Sequence, residues 1–117
     1  RIAALRALPG VEVFADRPGE RGVWPFLLIR LPTGAARDAV LAALWDRGAG
    51  VTRLFARALA DYPALADRFT DASPQAQARS LAARTLTLTN SSWLTDGDFA
   101  AIVACISLQL RRLSTPR

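Results

Sequence analysis

The chain contains no lysine, no histidine and no methionine, and a single cysteine, Cys105. Each absence removes a class of chemistry. Without lysine there is no ε-amine to hold a carbonyl compound as a Schiff base. Without histidine there is no Ser–His or thiol–imidazole pair, and the lone cysteine leaves no ligand set for zinc. Cys105 has no partner for a disulfide within the chain and sits in an apolar run, so it reads as a buried thiol of a reducing compartment. Gly19 and Gly22 do not form a phosphate loop, because no GxGxxG or GxxxxGK[ST] pattern joins a strand to a helix. No apolar run reaches the length of a transmembrane helix, and the first residues lack the basic start and apolar stretch of a signal peptide. A cytoplasmic location is therefore expected.

What is present is an Ala- and Arg-rich chain of 117 residues, long enough for one domain with a true core and expected to form one over residues 1–117. All fifteen basic residues are arginine, and the formal charge is +5. The arginines are spread along the sequence and often adjoin acids, as in Arg37-Asp38, Asp46-Arg47 and Asp67-Arg68. That pattern predicts a mixed, solvated surface rather than a nucleic-acid footprint.

Ile2, Leu5 and Leu8 recur at helical spacing until Pro9-Gly10 stops them, which reads as the last turns of a helix. Val11 to Phe14 reads as an edge strand, followed by a turn-rich loop from Asp16 to Gly22. Residues 24–31 are apolar on both alternating faces and predict a strand covered on both sides in the middle of a sheet. Pro32-Thr33-Gly34 leads into a helix of about a dozen residues, capped by Thr33 or Gly34, with Val40, Leu41, Leu44 and Trp45 on its inner face and Gly48 at C′. Val51 to Phe55 reads as a short strand. Ala56 to Phe69 reads as an irregular loop with a helical turn, broken at Tyr62-Pro63.

Ser73-Pro74 offers a helix start, and that helix should run to about Arg84. Thr85 to Thr89 alternates strictly, so Leu86 and Leu88 should point inward and the threonines toward solvent or a neighbouring surface. Thr95 is the expected N-cap of a last helix, with Asp96 and Asp98 in its first turn serving as structural caps and Leu94 placed against Phe99. Its apolar stripe is Phe99, Ile102, Val103, Ile106, Leu110 and Leu113. The sum is an α+β fold, a small and mainly antiparallel sheet of three or four strands packed with about three helices.

The one segment whose residue types suit recognition chemistry is 53–62. Arg53, Phe55, Arg57 and Tyr62 interrupt an Ala/Leu-rich stretch after a strand, and arginine beside an aromatic suits phosphate and ring recognition on a loop. On the residues alone, a partly exposed connection with solvated arginines is the favoured reading. Trp93, just before the last helix, reads as a core or rim aromatic rather than a stacking platform.

Ile29-Arg-Leu-Pro32, Arg47-Gly-Ala-Gly-Val51, Leu54-Phe55, Leu86-Thr-Leu88 and Leu94-Thr-Asp96, in that order and spacing, resemble the C-terminal small domain of the DegT/DnrJ/StrS sugar aminotransferases. The resemblance covers about residues 24–112. It implies a parent enzyme that uses pyridoxal phosphate to move an amino group onto a nucleotide-linked keto-sugar, working as a homodimer. The lysine that holds the cofactor would lie in a larger domain that this chain lacks, and residues 1–10 would be the remnant of a helix from that domain. Exposure of Ile2, Leu5 and Leu8 is then expected. By the same resemblance this chain helps close and line the sugar-nucleotide site, with Arg53, Phe55, Arg57 and Tyr62 as its substrate-binding candidates, no catalytic residue and no cofactor bound by the chain alone. Two stretches depart from the family's usual pattern. Leu54-Phe55-Ala56-Arg57 stands where members often carry His-Tyr, and Thr89-Asn-Ser-Ser92 stands where they commonly carry Leu-Pro with a following His. Apart from the resemblance, the residues also allow a stand-alone α+β module that binds an anionic ligand through its arginines.

Overall fold

A computed structural model describes residues 1–69 and 75–115. The elements run α1 (Ile2–Arg6), β1 (Glu12–Val13), β2 (Phe26–Arg30), α2 (Gly34–Trp45), β3 (Val51–Thr52), α3 (Ala76–Arg84), β4 (Thr85–Thr89) and α4 (Asp96–Ser114). Two 3₁₀ turns, Leu59–Asp61 and Pro63–Arg68, fill the connection after β3. The strands form one antiparallel sheet in the order β1-β2-β4-β3, which confirms the α+β class and the edge position of the first strand. The Ser73-Pro74 helix start lies outside the described residues.

Register decides the faces. Leu27 lies opposite Leu88, Ile29 opposite Leu86, Val13 opposite Ile29 and Val51 opposite Leu88, so all of them point to one side. There they share one core with Leu5 of α1, Val40, Leu41 and Leu44 of α2, and Phe99, Ile102, Cys105, Ile106 and Leu110 of α4. Leu5 is fully buried and Leu8 nearly so, which corrects the expectation that this face would be stripped. Gly10, at φ +69°, turns the chain from α1 into β1.

The opposite face carries Phe26, Leu28, Arg30, Thr85, Thr87 and Thr52. The expectation that β2 is covered on both sides fails here, since Phe26 is exposed and Leu28 only half-buried. The threonines are not left to solvent. Thr85 and Thr87 are buried, and their hydroxyls donate to the Leu81 carbonyl at 2.9 Å and the Thr52 carbonyl at 3.2 Å. Glu12 and Arg30 form an ion pair across β1 and β2.

Local chemistry sets the helix ends. The Thr33 hydroxyl accepts from the Ala36 amide at 3.0 Å, which identifies Thr33 as the cap of α2. At the other end Gly48, at φ +67°, lets its own amide reach the Trp45 carbonyl and the Ala49 amide reach that of Leu44. This is the paired closure expected of glycine at C′. Trp45 does not join the core. It is 57% exposed, and its indole N–H donates to the Val51 carbonyl at 2.8 Å. Arg37 departs from the solvated pattern in the other direction: it is buried, donating to Asp38 at 2.7 Å and to the Ala82 carbonyl at 3.0 Å, which ties α2 to α3.

In α4 a capping box forms, with the Thr95 hydroxyl accepting from the Asp98 amide at 3.1 Å and the Asp98 carboxylate accepting from the Thr95 amide at 3.3 Å. Leu113 lies past the end of the buried stripe and is exposed, while Cys105 joins that stripe. Among the described residues no helix is long and apolar enough to cross a membrane.

Candidate functional site

The third strand is shorter than the sequence suggests. Thr52 pairs with Thr87, the last register position of β3, so Arg53, Leu54 and Phe55 leave the sheet as loop. Tyr62 has the extended backbone, φ −84° and ψ +118°, that a following proline imposes, and it separates the two 3₁₀ turns. The short turns double the chain back on itself and bring part of the candidate set together.

The Arg57 guanidinium lies over the Tyr62 ring, 5.4 Å from its centroid, in cation–π geometry. Its Nη1 also donates to the Asp61 carbonyl at 3.4 Å. Asp61 in turn is gripped by α3. Arg79 Nε donates to both carboxylate oxygens, at 2.9 and 3.1 Å, and Arg79 Nη2 approaches Oδ1 at 2.7 Å. The hydrogen bond from Arg79 holds the Asp61 carboxyl below its ordinary range, with further help from the charges of Arg79 and Arg57. The same hydrogen bond raises the Arg79 guanidinium in return.

Arg53 and Phe55 are not part of this cluster. Both are exposed, Phe55 at 47%, and the Arg53 side chain has no hydrogen bond or ion pair among the described residues. Leu59 is exposed as well, at 64%. The segment therefore presents two arginines and several apolar side chains on a loop fixed from below by a bidentate ion pair. Such a surface can bind a ring and pair an anion. It contains no nucleophile beside a base, and nothing in it can attach a cofactor through an amine.

Sequence reasoning missed Asp61 and Arg79, which set the loop's position. Asp61 adjoins Tyr62 and could have been noted. Arg79 reaches it from a separate helix, a relation that no local spacing reveals.

Comparison with known proteins gives this geometry a context. Residues 2–107 match the DegT/DnrJ/EryC1/StrS aminotransferase family. Among solved structures, the chain is similar to the aminotransferase TlmJ from Streptoalloteichus hindustanus, with 23% identity and a TM-score of 0.76 over 97% of this chain and 30% of that one. It is also similar to S. venezuelae DesV, solved in complex with a ketimine intermediate, with 19% identity and a TM-score of 0.77 over 99% of this chain and 30% of that one. At these identities the likeness is one of fold, and the chain spans about a third or less of either structure. The comparison with curated proteins returned no match. With the family matched along nearly its whole length, the chain belongs to the DegT/DnrJ/EryC1/StrS aminotransferases.

Proposed function

We propose that this chain is the C-terminal small domain of a pyridoxal-phosphate-dependent nucleotide-sugar aminotransferase, and that it closes over and lines the sugar-nucleotide site. The observation that carries this reading is family membership in a sequence without lysine. The cofactor needs an ε-amine and none of the 117 residues supplies one, so in this reading its Schiff-base attachment belongs to the remainder of the parent. The reading makes the parent a homodimeric cytoplasmic enzyme.

The part assigned to this domain is recognition. Arg57, aligned over Tyr62 and backed by Asp61, offers charged donors toward a diphosphate or sugar hydroxyls. Arg53 and Phe55 extend the same loop and supply a second cation and an apolar edge.

Replacing Arg57 with alanine in the intact parent tests the assignment. Loss of one charge-assisted hydrogen bond should raise KM for the nucleotide sugar about tenfold and leave kcat nearly unchanged. An unchanged KM removes Arg57 from the site.

A further inference from the structure

A cleft of about 430 Å³ opens between the C-terminal turn of α2 and the β4–α4 loop. That volume falls within the roughly 300–1,000 Å³ of small-molecule sites. Leu44, Ala49 and Ile102 contribute apolar lining, and Arg47, Trp93 and Asp98 contribute the larger polar or aromatic groups.

Three features separate this cleft from an ordinary surface hollow. The first is Trp93, which is 90% exposed although its neighbour Leu94 packs against the core. An indole left in water forgoes a large burial gain. The second is the loop that holds it there. The Asn90 amide donates to the Pro25 carbonyl at 3.1 Å, and its side-chain nitrogen donates to the Trp24 carbonyl at 2.8 Å. Arg1 donates to the Asn90 side-chain oxygen at 2.8 Å, and the Leu94 amide donates to the Ser91 carbonyl at 3.2 Å. The ring is thus carried on a preorganised loop, which lowers the entropic cost of binding against it. The third is Arg47, whose guanidinium makes no hydrogen bond or ion pair among the described residues and stands beside Gly48 and Gly50, where no side chain fills the cleft. Asp98 is different, because its Oδ2 is committed to the Thr95 hydroxyl at 2.6 Å and to the capping box.

We propose that this cleft binds a flat aromatic anion, a ring system bearing a phosphate or a carboxylate, with the ring stacked on Trp93 and the anionic group paired with Arg47. An exposed indole and an arginine with no protein partner among the described residues line one concave site, and this ligand class engages both. The inference rests on the cleft's own residues and stands apart from the Arg57 loop.

The test is calorimetric titration of the intact parent, and of the parent carrying Trp93→Ala or Arg47→Gln, with adenosine monophosphate, 2-naphthoate, adenosine and ribose 5-phosphate. At least one of the first two should bind saturably, and the nucleotide, where it binds, more tightly than adenosine, which lacks the charge, or ribose 5-phosphate, which lacks the ring. Binding by the nucleotide alone assigns phosphate as the anionic group, and binding by naphthoate alone assigns carboxylate. Trp93→Ala should weaken binding about 5- to 150-fold, the range of a lost base–aromatic stack. Arg47→Gln should bring adenosine monophosphate down to the level of adenosine. Both side chains are exposed, so thermal melts of the two variants should match the parent chain and exclude unfolding as the cause. Absence of saturable binding up to about 10 mM, where affinity falls below roughly 3 kcal/mol, overturns the proposal. So does equal binding by the Trp93→Ala variant.

Discussion

Replacing Leu5 with alanine asks whether α1 is an integral wall of this domain or an appendage. Leu5 is fully buried, in one core with residues of α2, α4 and the sheet. Removing three carbons forfeits about 2.4 kcal/mol of transfer free energy at roughly 0.8 per carbon. The cavity left behind raises the cost, and buried leucine truncations span about 2.7–5 kcal/mol. Gly10 and the hydrogen bond from the Val11 amide to the Leu8 carbonyl fasten α1 directly to β1, which restricts collapse into the hole and argues for about 3–4 kcal/mol. A chain of this length has a total stability of order 6–15 kcal/mol, so the loss is a large share of it. In urea denaturation with a slope near 1.5 kcal/mol/M, the midpoint should fall by about 2–2.7 M while the slope holds. Arg6→Ala, at an exposed position on the same helix, should shift it by less than about 0.5 kcal/mol. Equal, small shifts for the two variants would show that α1 does not dock in solution, and the reasoning would fail.

Thr95→Ala removes the hydroxyl half of the capping box and should cost about 1–2 kcal/mol, read as a lower melting temperature; Thr95→Asn should recover most of it. Gly50→Ala places a Cβ 2.9 Å from the Thr89 Cβ, and the resulting strain at the β3–β4 start should destabilise the chain by about 1–3 kcal/mol; a neutral result would mean that the strand edge yields freely. Acid should loosen the Arg57 loop. Because the folded state depresses the Asp61 carboxyl, its contribution is fully present above the ordinary value of 3.8 and is lost as pH falls through the lower folded value. A carboxyl NMR titration should find that Arg79→Gln moves the Asp61 midpoint upward, and an unmoved midpoint would refute the role given to the ion pair.

The features legible in the sequence were those encoded within a turn or two of chain. Thr33, Gly48 and the Thr95–Asp98 box act on their own helix ends, so residue type and spacing suffice to find them. The central place of β2 was readable from its unbroken apolar run, yet the same run misled about its second face, because composition does not say whether a further layer of protein is present. The period of α2 points Trp45 inward, but its indole N–H needs an acceptor and finds one on the flank at Val51. The strand from Val51 ends at Thr52 rather than Phe55, since Leu54 and Phe55 have the right character but no ladder partner. At the candidate site Arg57 and Tyr62 are close in sequence and were singled out together. Arg53 and Phe55 lie on the same loop but outside the Arg57–Tyr62–Asp61 contacts, and Arg79 is invisible in the sequence because its role depends on how α3 returns to the loop.

Helix α3 passes into β4 without an intervening residue, Arg84 ending one and Thr85 beginning the other. The Arg84 carbonyl accepts from the Leu31 amide at 2.8 Å while its own guanidinium donates back to the Leu31 carbonyl at 2.8 Å, so the joint is welded to the far end of the central strand. Since Asp61 is paired with Arg79 on that same helix, the loop that carries Arg57 and Tyr62 is linked through α3 to the middle of the sheet. A displacement of the loop away from α3 therefore has to open the Asp61–Arg79 clasp, a solvent-accessible pair of small stabilising value, so the clasp and not the sheet is where this linkage yields.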